Sequence, residues 1–266
     1  MESAVDPAVA ADQLRDSGYT VLPGLYTPDR VQAIRDALER AYRALGSPPL
    51  FHPGRMSPGD DLEISSTGFV FHKLLKFVPE LAPTLLEPVV VQVLRAVLGG
   101  DMHLELVGAV LCDHTRPFFQ WHTHVGGIDD ERYRRAGLRP TFEQPQRVTM
   151  VLYLNDLVEG AGQLLVYPRA ITDPMAPPFA VDQTHWEGQV LVDCPQGSVV
   201  LVEQCTWHAA LPRTRPGLRI YLGGYFAAAS APATFDVDES LMDLREPGAL
   251  MASVLPGRTR RSSEEP

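Results

Sequence analysis

From residue 102 to 227 the chain breaks into short runs rich in Val, Ile, Leu, Tyr and Thr, parted by Pro, Gly, Asp and Asn. The runs are Met102–Cys112, Phe118–His124, Arg147–Leu154, Gln163–Tyr167, Gln189–Val192, Ser198–Val202 and Leu218–Ala227. Several strands at short intervals, with turn residues between them, lead to a β-sandwich or barrel. Ahead of this region the pattern is helical. Val9–Ser17 reads as a short helix, and residues 18–24 as a strand and a turn. Thr27, Pro28 and Asp29 suit a helix start, as N-cap, first helical position and first-turn acid. Val31, Ile34, Leu38, Tyr42 and Leu45 follow at three- and four-residue spacing, as one buried stripe. Residues 47–67, full of Pro, Gly, Ser and Asp, read as a loop. A helix from Pro88 to Leu98 is closed by Gly99 and Gly100. The expected class is mainly β with flanking helices, in one domain over residues 1–255. The polar, charged segment 256–266 is expected to be a disordered tail.

Composition narrows the possible partners. With 266 residues, 45% hydrophobic and 21% charged, the chain is long enough to bury a core without disulfides or structural metals. A net charge of −10 argues against nucleic acid and against an anionic membrane surface, since both select basic proteins. No apolar run is long enough to span a bilayer, and Met1 to Pro7 lacks the features of a signal peptide. Cys112, Cys194 and Cys205 show no CxxC spacing, which fits free thiols in a reducing cytoplasm. A soluble cytoplasmic protein with a small-molecule partner is expected.

Of eight histidines, His52, His103, His114 and His185 lack neighbours that would give them a special role. His122 and His124 differ, lying in Phe119-Gln-Trp-His-Thr-His124. Two apart on a strand, they share a face and can chelate one metal, although chance spacing also accounts for such a pair. His208 follows the buried run from Gly197. Eleven residues on, Arg219 sits in the apolar run Leu218–Tyr225. A buried arginine is costly unless it meets an anion, and its planar fork matches a carboxylate. That carboxylate could belong to a ligand or to a protein acid. A His-x-acid pair, a distant His and a strand Arg just after it are together what a non-haem iron oxygenase requires. Three ligands on one face leave three positions open on the metal.

The chain resembles the phytanoyl-CoA dioxygenase family over most of its length. Leu14-Arg-Asp-Ser-Gly-Tyr-Thr-Val-Leu-Pro-Gly-Leu-Tyr-Thr-Pro-Asp-Arg-Val31 is similar to that family's opening stretch. Gln120-Trp-His-Thr-His124 sits where the family has His-x-Asp. Val148 to Asp156 and Gly160 to Arg169 resemble the stretch ending in the family's Pro-Gly-Ser-His, and Gly197 to His208 resembles the strand leading to the distal histidine. The resemblance implies a double-stranded β-helix, the jelly-roll of the cupins, with helices packed on one side. It implies Fe(II) as metal and 2-oxoglutarate as co-substrate. It assigns His122 and His208 as metal ligands and Arg219 as the anchor of the co-substrate's far carboxylate. The outcome would be hydroxylation, desaturation or ring closure of a small molecule of secondary metabolism. A CoA ester is not supported, because no basic cluster suits several phosphates.

The departure is His124, where the family has its carboxylate. His124 is either the third ligand, or replaced by another such as Asp129 or Asp130, or a sign that iron chemistry is lost. In the last case the jelly-roll would be a ligand-binding protein or a metal-independent isomerase or lyase. A halogenase-like pattern, His124-Val-Gly126, would leave His122 without a role. Pro168-Arg-Ala170 replaces Pro-Gly-Ser-His, in a segment that is mostly structural.

Several further residues could support the site. Gln120 could bind near the metal or the co-substrate, and His72 or Lys73 could hold a carboxylate. Trp121 and Trp207 could wall the pocket or simply pack the core. Tyr221 and Tyr225 share the face of Arg219. The loop Val125–Pro145 could act as a lid.

Overall fold

The computed structural model describes residues 5–124, 145–173, 176–232 and 237–256. The helical start follows its sequence signals. Helix α1, Pro7–Ser17, is capped by the Asp6 carboxylate, which accepts from the Ala8 amide, and it ends on Gly18 at φ 73°. Strand β1, Tyr19–Leu22, follows. Helix α2, Pro28–Ala44, starts at Thr27, whose hydroxyl oxygen accepts from the Arg30 amide. Val31, Ile34 and Leu38 are buried as the spacing requires, but Leu45 is not. It falls on the C-cap, where the chain leaves the helix and the stripe runs out into solvent.

The expected loop 47–67 holds a strand. β2, Leu62–Ile64, pairs antiparallel with β3, Phe69–Phe71. Three residues among Ser, Gly and Asp are too few to show an alternation, so the ribbon escapes a reading by periodicity. Helices α3, Leu74–Phe77, and α4, Pro88–Leu98, complete the N-terminal layer.

Eight strands follow. They are β4 His103–Cys112, β5 Phe119–His122, β6 Arg147–Tyr153, β7 Leu164–Val166, β8 Val190–Val192, β9 Val199–Glu203, β10 His208–Ala210 and β11 Arg219–Ala227. Seven match the runs seen in the sequence. β10 does not, because His-Ala-Ala carries no strand signature. The large sheet runs β1-β9-β6-β11-β4-β3-β2 and the small one β5-β10-β7-β8, with every pairing antiparallel. From β4 to β7 the chain alternates between the sheets, and it does so again from β8 to β11. This is the wiring of a jelly-roll, in which two faces close around an interior.

Strand alternation sorts the side chains. Val199, Leu201, Ile220, Leu222 and Phe226 face outward from the large sheet and pack with Leu14, Ile34, Val90 and Leu94 of the helices. Val200, Val202, Tyr153, Leu164 and Val166 face the space between the sheets. Each such side chain, fully buried, contributes about 1.5–3 kcal/mol. Two buried ion pairs cross the frame. Arg147 Nε donates to Glu105 Oε2, and Arg169 Nη1 to Glu203 Oε2, both at 2.9 Å. Arg169 thus explains the altered Pro168-Arg-Ala170: its role is structural. All three cysteines are buried and free. Among the described residues no helix is long and apolar enough to cross a membrane.

Candidate metal centre

β5 and β10 pair so that His208 lies directly opposite His122. His124 follows two residues later, its backbone fixed by donation from its amide to the Gln204 carbonyl at 2.8 Å. The three rings converge. Centroid separations are 4.2 Å for His122–His208, 4.8 Å for His124–His208 and 5.2 Å for His122–His124. One nitrogen from each lies within 4.8 Å of the others. With His122 in the cluster, the shifted halogenase-like register finds no support.

Hydrogen bonds decide which nitrogens carry lone pairs. His122 Nδ1 lies 2.8 Å from the Gln120 carbonyl, and His208 Nδ1 lies 3.0 Å from the Thr206 carbonyl. A carbonyl only accepts, so each Nδ1 carries the proton and each Nε2 keeps a free lone pair. His124 Nδ1 is buried with no hydrogen-bond partner. Its ring stacks on Tyr225 at 5.6 Å. Burial keeps the rings neutral. It draws His124 down to about 3 and His208 to about 4, with the hydrogen bond that His208 donates to the Thr206 carbonyl opposing the shift at His208. Burial, then the neighbouring histidines, pulls His122 well below its ordinary range. Neutral nitrogen donors close together, one of them unsatisfied, fit a divalent first-row metal ion. Among the described residues no carboxylate joins the three; Asp129 and Asp130 lie outside the described residues, as does the expected lid through residue 144.

Arg219 opens β11 and points inward. It is 2% exposed, and its Nε and Nη1 have no partner. Its guanidinium lies over Tyr221 at 4.7 Å and Tyr153 at 5.4 Å. The buried acids Glu105 and Glu203 are already paired with other arginines. Among the described residues no acid pairs with Arg219, and its guanidinium lines the cavity.

A cavity of about 530 Å³ joins Arg219 to the three histidines and continues to Glu63, Ser65 and His72 of the β2–β3 region. His72 Nε2 lies 3.3 Å from Glu63 Oε2. Lys73 turns instead to Asp61, at 3.3 Å. Tyr221 and Tyr225 line the cavity, as their alternation with Arg219 implied. Gln120 does not. Its side chain is exposed, and it serves the site only through the carbonyl that orients His122. Trp121 is stacked on Trp186 at 4.2 Å, with Trp207 at 5.8 Å from the same ring. Both pack the outer face of the small sheet with Leu165 and Ala209 rather than walling the cavity. The sequence reading missed Tyr153, although it lies on the inward face of β6 with Thr149 and Val151, and a period-two count along that strand would have found it. It also missed Glu63, which no motif marks.

Comparison with known proteins agrees with this architecture. A family model described as phytanoyl-CoA dioxygenase (PhyH) matches residues 14–220. No curated protein matches the sequence. Among solved structures, AviO1 from Streptomyces viridochromogenes Tue57 superposes with a TM-score of 0.63 at 19% identity, over 87% of this chain and 99% of that one. The non-haem alpha-ketoglutarate-dependent carbocyclase SnoK from nogalamycin biosynthesis gives 0.63 at 17% identity, over 88% and 92%. HygX from Streptomyces hygroscopicus, with nickel and 2-oxoglutarate bound, gives 0.61 at 15%, over 92% and 96%. A match across most of the sequence, on a shared jelly-roll, places the chain: it belongs to the phytanoyl-CoA dioxygenase (PhyH) family of non-haem iron, 2-oxoglutarate-dependent enzymes.

Proposed function

We propose that the protein is an iron(II)- and 2-oxoglutarate-dependent oxygenase acting on a small molecule of secondary metabolism. His122, His124 and His208 hold the metal, and Arg219 holds the far carboxylate of 2-oxoglutarate. The observation that carries this reading is one cavity with three neutral histidines at its centre and, at one end, a buried arginine that no acid among the described residues pairs.

Bound iron with 2-oxoglutarate and oxygen supplies an oxidant able to take hydrogen from carbon, with succinate and carbon dioxide as co-products. The chain does the rest. Gln120 and Thr206 carbonyls fix two imidazoles with their lone pairs free. Arg219 offers two parallel N–H donors to a carboxylate, where burial strengthens the contact. Tyr153 and Tyr221, held neutral by burial, flank that carboxylate. Val202, Leu164 and Ala210 keep water from this end. The substrate enters by the β2–β3 side, past Glu63 and His72. Three imidazoles give a centre one charge more positive than two imidazoles and a carboxylate, so its hold on Fe(II) is weaker. Related folds include a carbocyclase and an epimerase, both from nogalamycin biosynthesis, and HygX bound to hygromycin B. They support a secondary metabolite as substrate. Free, buried cysteines support a cytoplasmic site of action.

The test is an anaerobic titration of metal-stripped protein with Fe(II) and 2-oxoglutarate, followed by the visible charge-transfer band. The band is expected in wild type and absent in Arg219→Ala and His208→Ala. A wild type that binds neither would overturn the proposal. The lack of a carboxylate in the cluster among the described residues favours one second reading, a jelly-roll working as a metal-independent isomerase, lyase or binding protein. His124→Asp separates the two. Raised iron-dependent turnover marks a degraded oxygenase, and abolished native activity marks a three-histidine centre that works as it stands. Native activity indifferent to both the substitution and a chelator supports the second reading.

A further inference from the structure

Arg219 has a cationic neighbour. Arg116 lies at the end of the turn Asp113–Arg116 between β4 and β5, and it is 1% exposed. Its Nη2 donates to the Leu211 carbonyl at 2.7 Å, while its Nε is buried with no partner. Among the described residues no acid pairs with it. The two arginines meet at Gly162. A Cβ placed there would lie 3.2 Å from Cδ of Arg219 and 3.5 Å from Nη2 of Arg116, so both side chains crowd the same glycine. Burial, then the charge of Arg219, draws the Arg116 pKa down. The other groups that act on it, Tyr153, Tyr221 and Cys112, offer no counter-charge while neutral. Two cations in one dry place repel, and a fold retains them where an anion from outside balances the charge.

We propose that Arg116 is a positioning residue of the anion pocket, a second positive charge behind Arg219 that favours 2-oxo acids bearing a second carboxylate over those without one. The inference rests on the co-substrate role proposed for Arg219. Arg116 is off the cavity wall, so it acts through space. Its charge repels the Arg219 fork toward the cavity and raises the potential where the far carboxylate arrives. A lone buried arginine would hold that carboxylate too; the pair holds it more tightly and releases more free energy when it binds.

The test compares wild type, Arg116→Gln and Arg116→Lys, each loaded anaerobically with Fe(II). Dissociation constants for 2-oxoglutarate and for 2-oxobutyrate, which lacks the far carboxylate, are read by calorimetry and by the charge-transfer band. Arg116→Gln is expected to weaken 2-oxoglutarate by about tenfold, the scale of a through-space attraction between unit charges in a partly screened site, and to leave 2-oxobutyrate unchanged. Arg116→Lys is expected to restore most of the loss, and the salt dependence of 2-oxoglutarate binding to be steeper in wild type than in the Gln variant. Equal 2-oxoglutarate binding in Gln variant and wild type overturns the inference. So does a loss shared equally by both acids, or a Lys variant no better than Gln, since either is what mere structural damage produces. A wild type that binds no 2-oxoglutarate removes the co-substrate reading itself, and is seen before any variant is made.

Discussion

Buried arginines in this protein come in two kinds, and substitution separates them. Arg169 neutralises Glu203, so Arg169→Met strands a buried carboxylate and is expected to cost about 3–5 kcal/mol. Arg219 neutralises nothing in the described chain, so Arg219→Met removes an uncompensated charge. Its unfolding midpoint in denaturant should equal or exceed that of wild type, while 2-oxoglutarate binding is lost. A destabilised Arg219→Met would show that the guanidinium is structural. The histidines make a second prediction. In the folded, metal-free protein His124 and His208 titrate at about 3 and about 4, against 6.5 when unperturbed. Between those values the unfolded chain binds more protons than the folded one, so stability falls as pH drops below about 6.5. The thermal midpoint of metal-free wild type should fall more steeply from pH 7.5 to 5 than that of His124→Phe; equal slopes would remove His124 from the account. The pair His122 and His124 was legible because two-residue spacing on a strand is a visible signal. Gln120 misled because its place in the motif says nothing of which way its side chain turns at a strand edge. Arg116 was silent because only tertiary contacts tell a buried arginine in a turn from an exposed one.

At the scale of elements, the seat of His208 depends on the other end of the chain. Gly18 ends α1 and approaches the turn before β10 so closely that a Cβ there would lie 2.1 Å from Thr206 Oγ1. Thr206 in turn supplies the carbonyl that orients His208. Gly18→Val meets both this contact and a φ of 73°, with a cost of about 1–3 kcal/mol from backbone strain alone. The variant should lose metal affinity as well as stability, since the turn must shift. A variant less stable but with unchanged affinity would uncouple the two. The long strands β4, β6 and β11 were plain in the sequence because their apolar runs are long and bounded by turns. β2, β3 and β10 are three residues each, and such pieces are strands only because a neighbour supplies the ladder.

Across the whole molecule the two sheets are unequal. The large one is backed by helices, and its outward face joins a broad apolar cluster. The small one has four short strands, and its outer face is covered by a compact group around Trp121 and Trp186. β5 and β10 meet at His122 and His208, with a register shift between His208 and Ala210. An ion bound there would rivet together two strands that stand far apart along the chain. Its removal by a chelator should loosen one wall while the other stands. Amide hydrogens of β5 and β10 would then exchange with solvent well before those of β6 and β11, and the cavity would open from the side of its own metal.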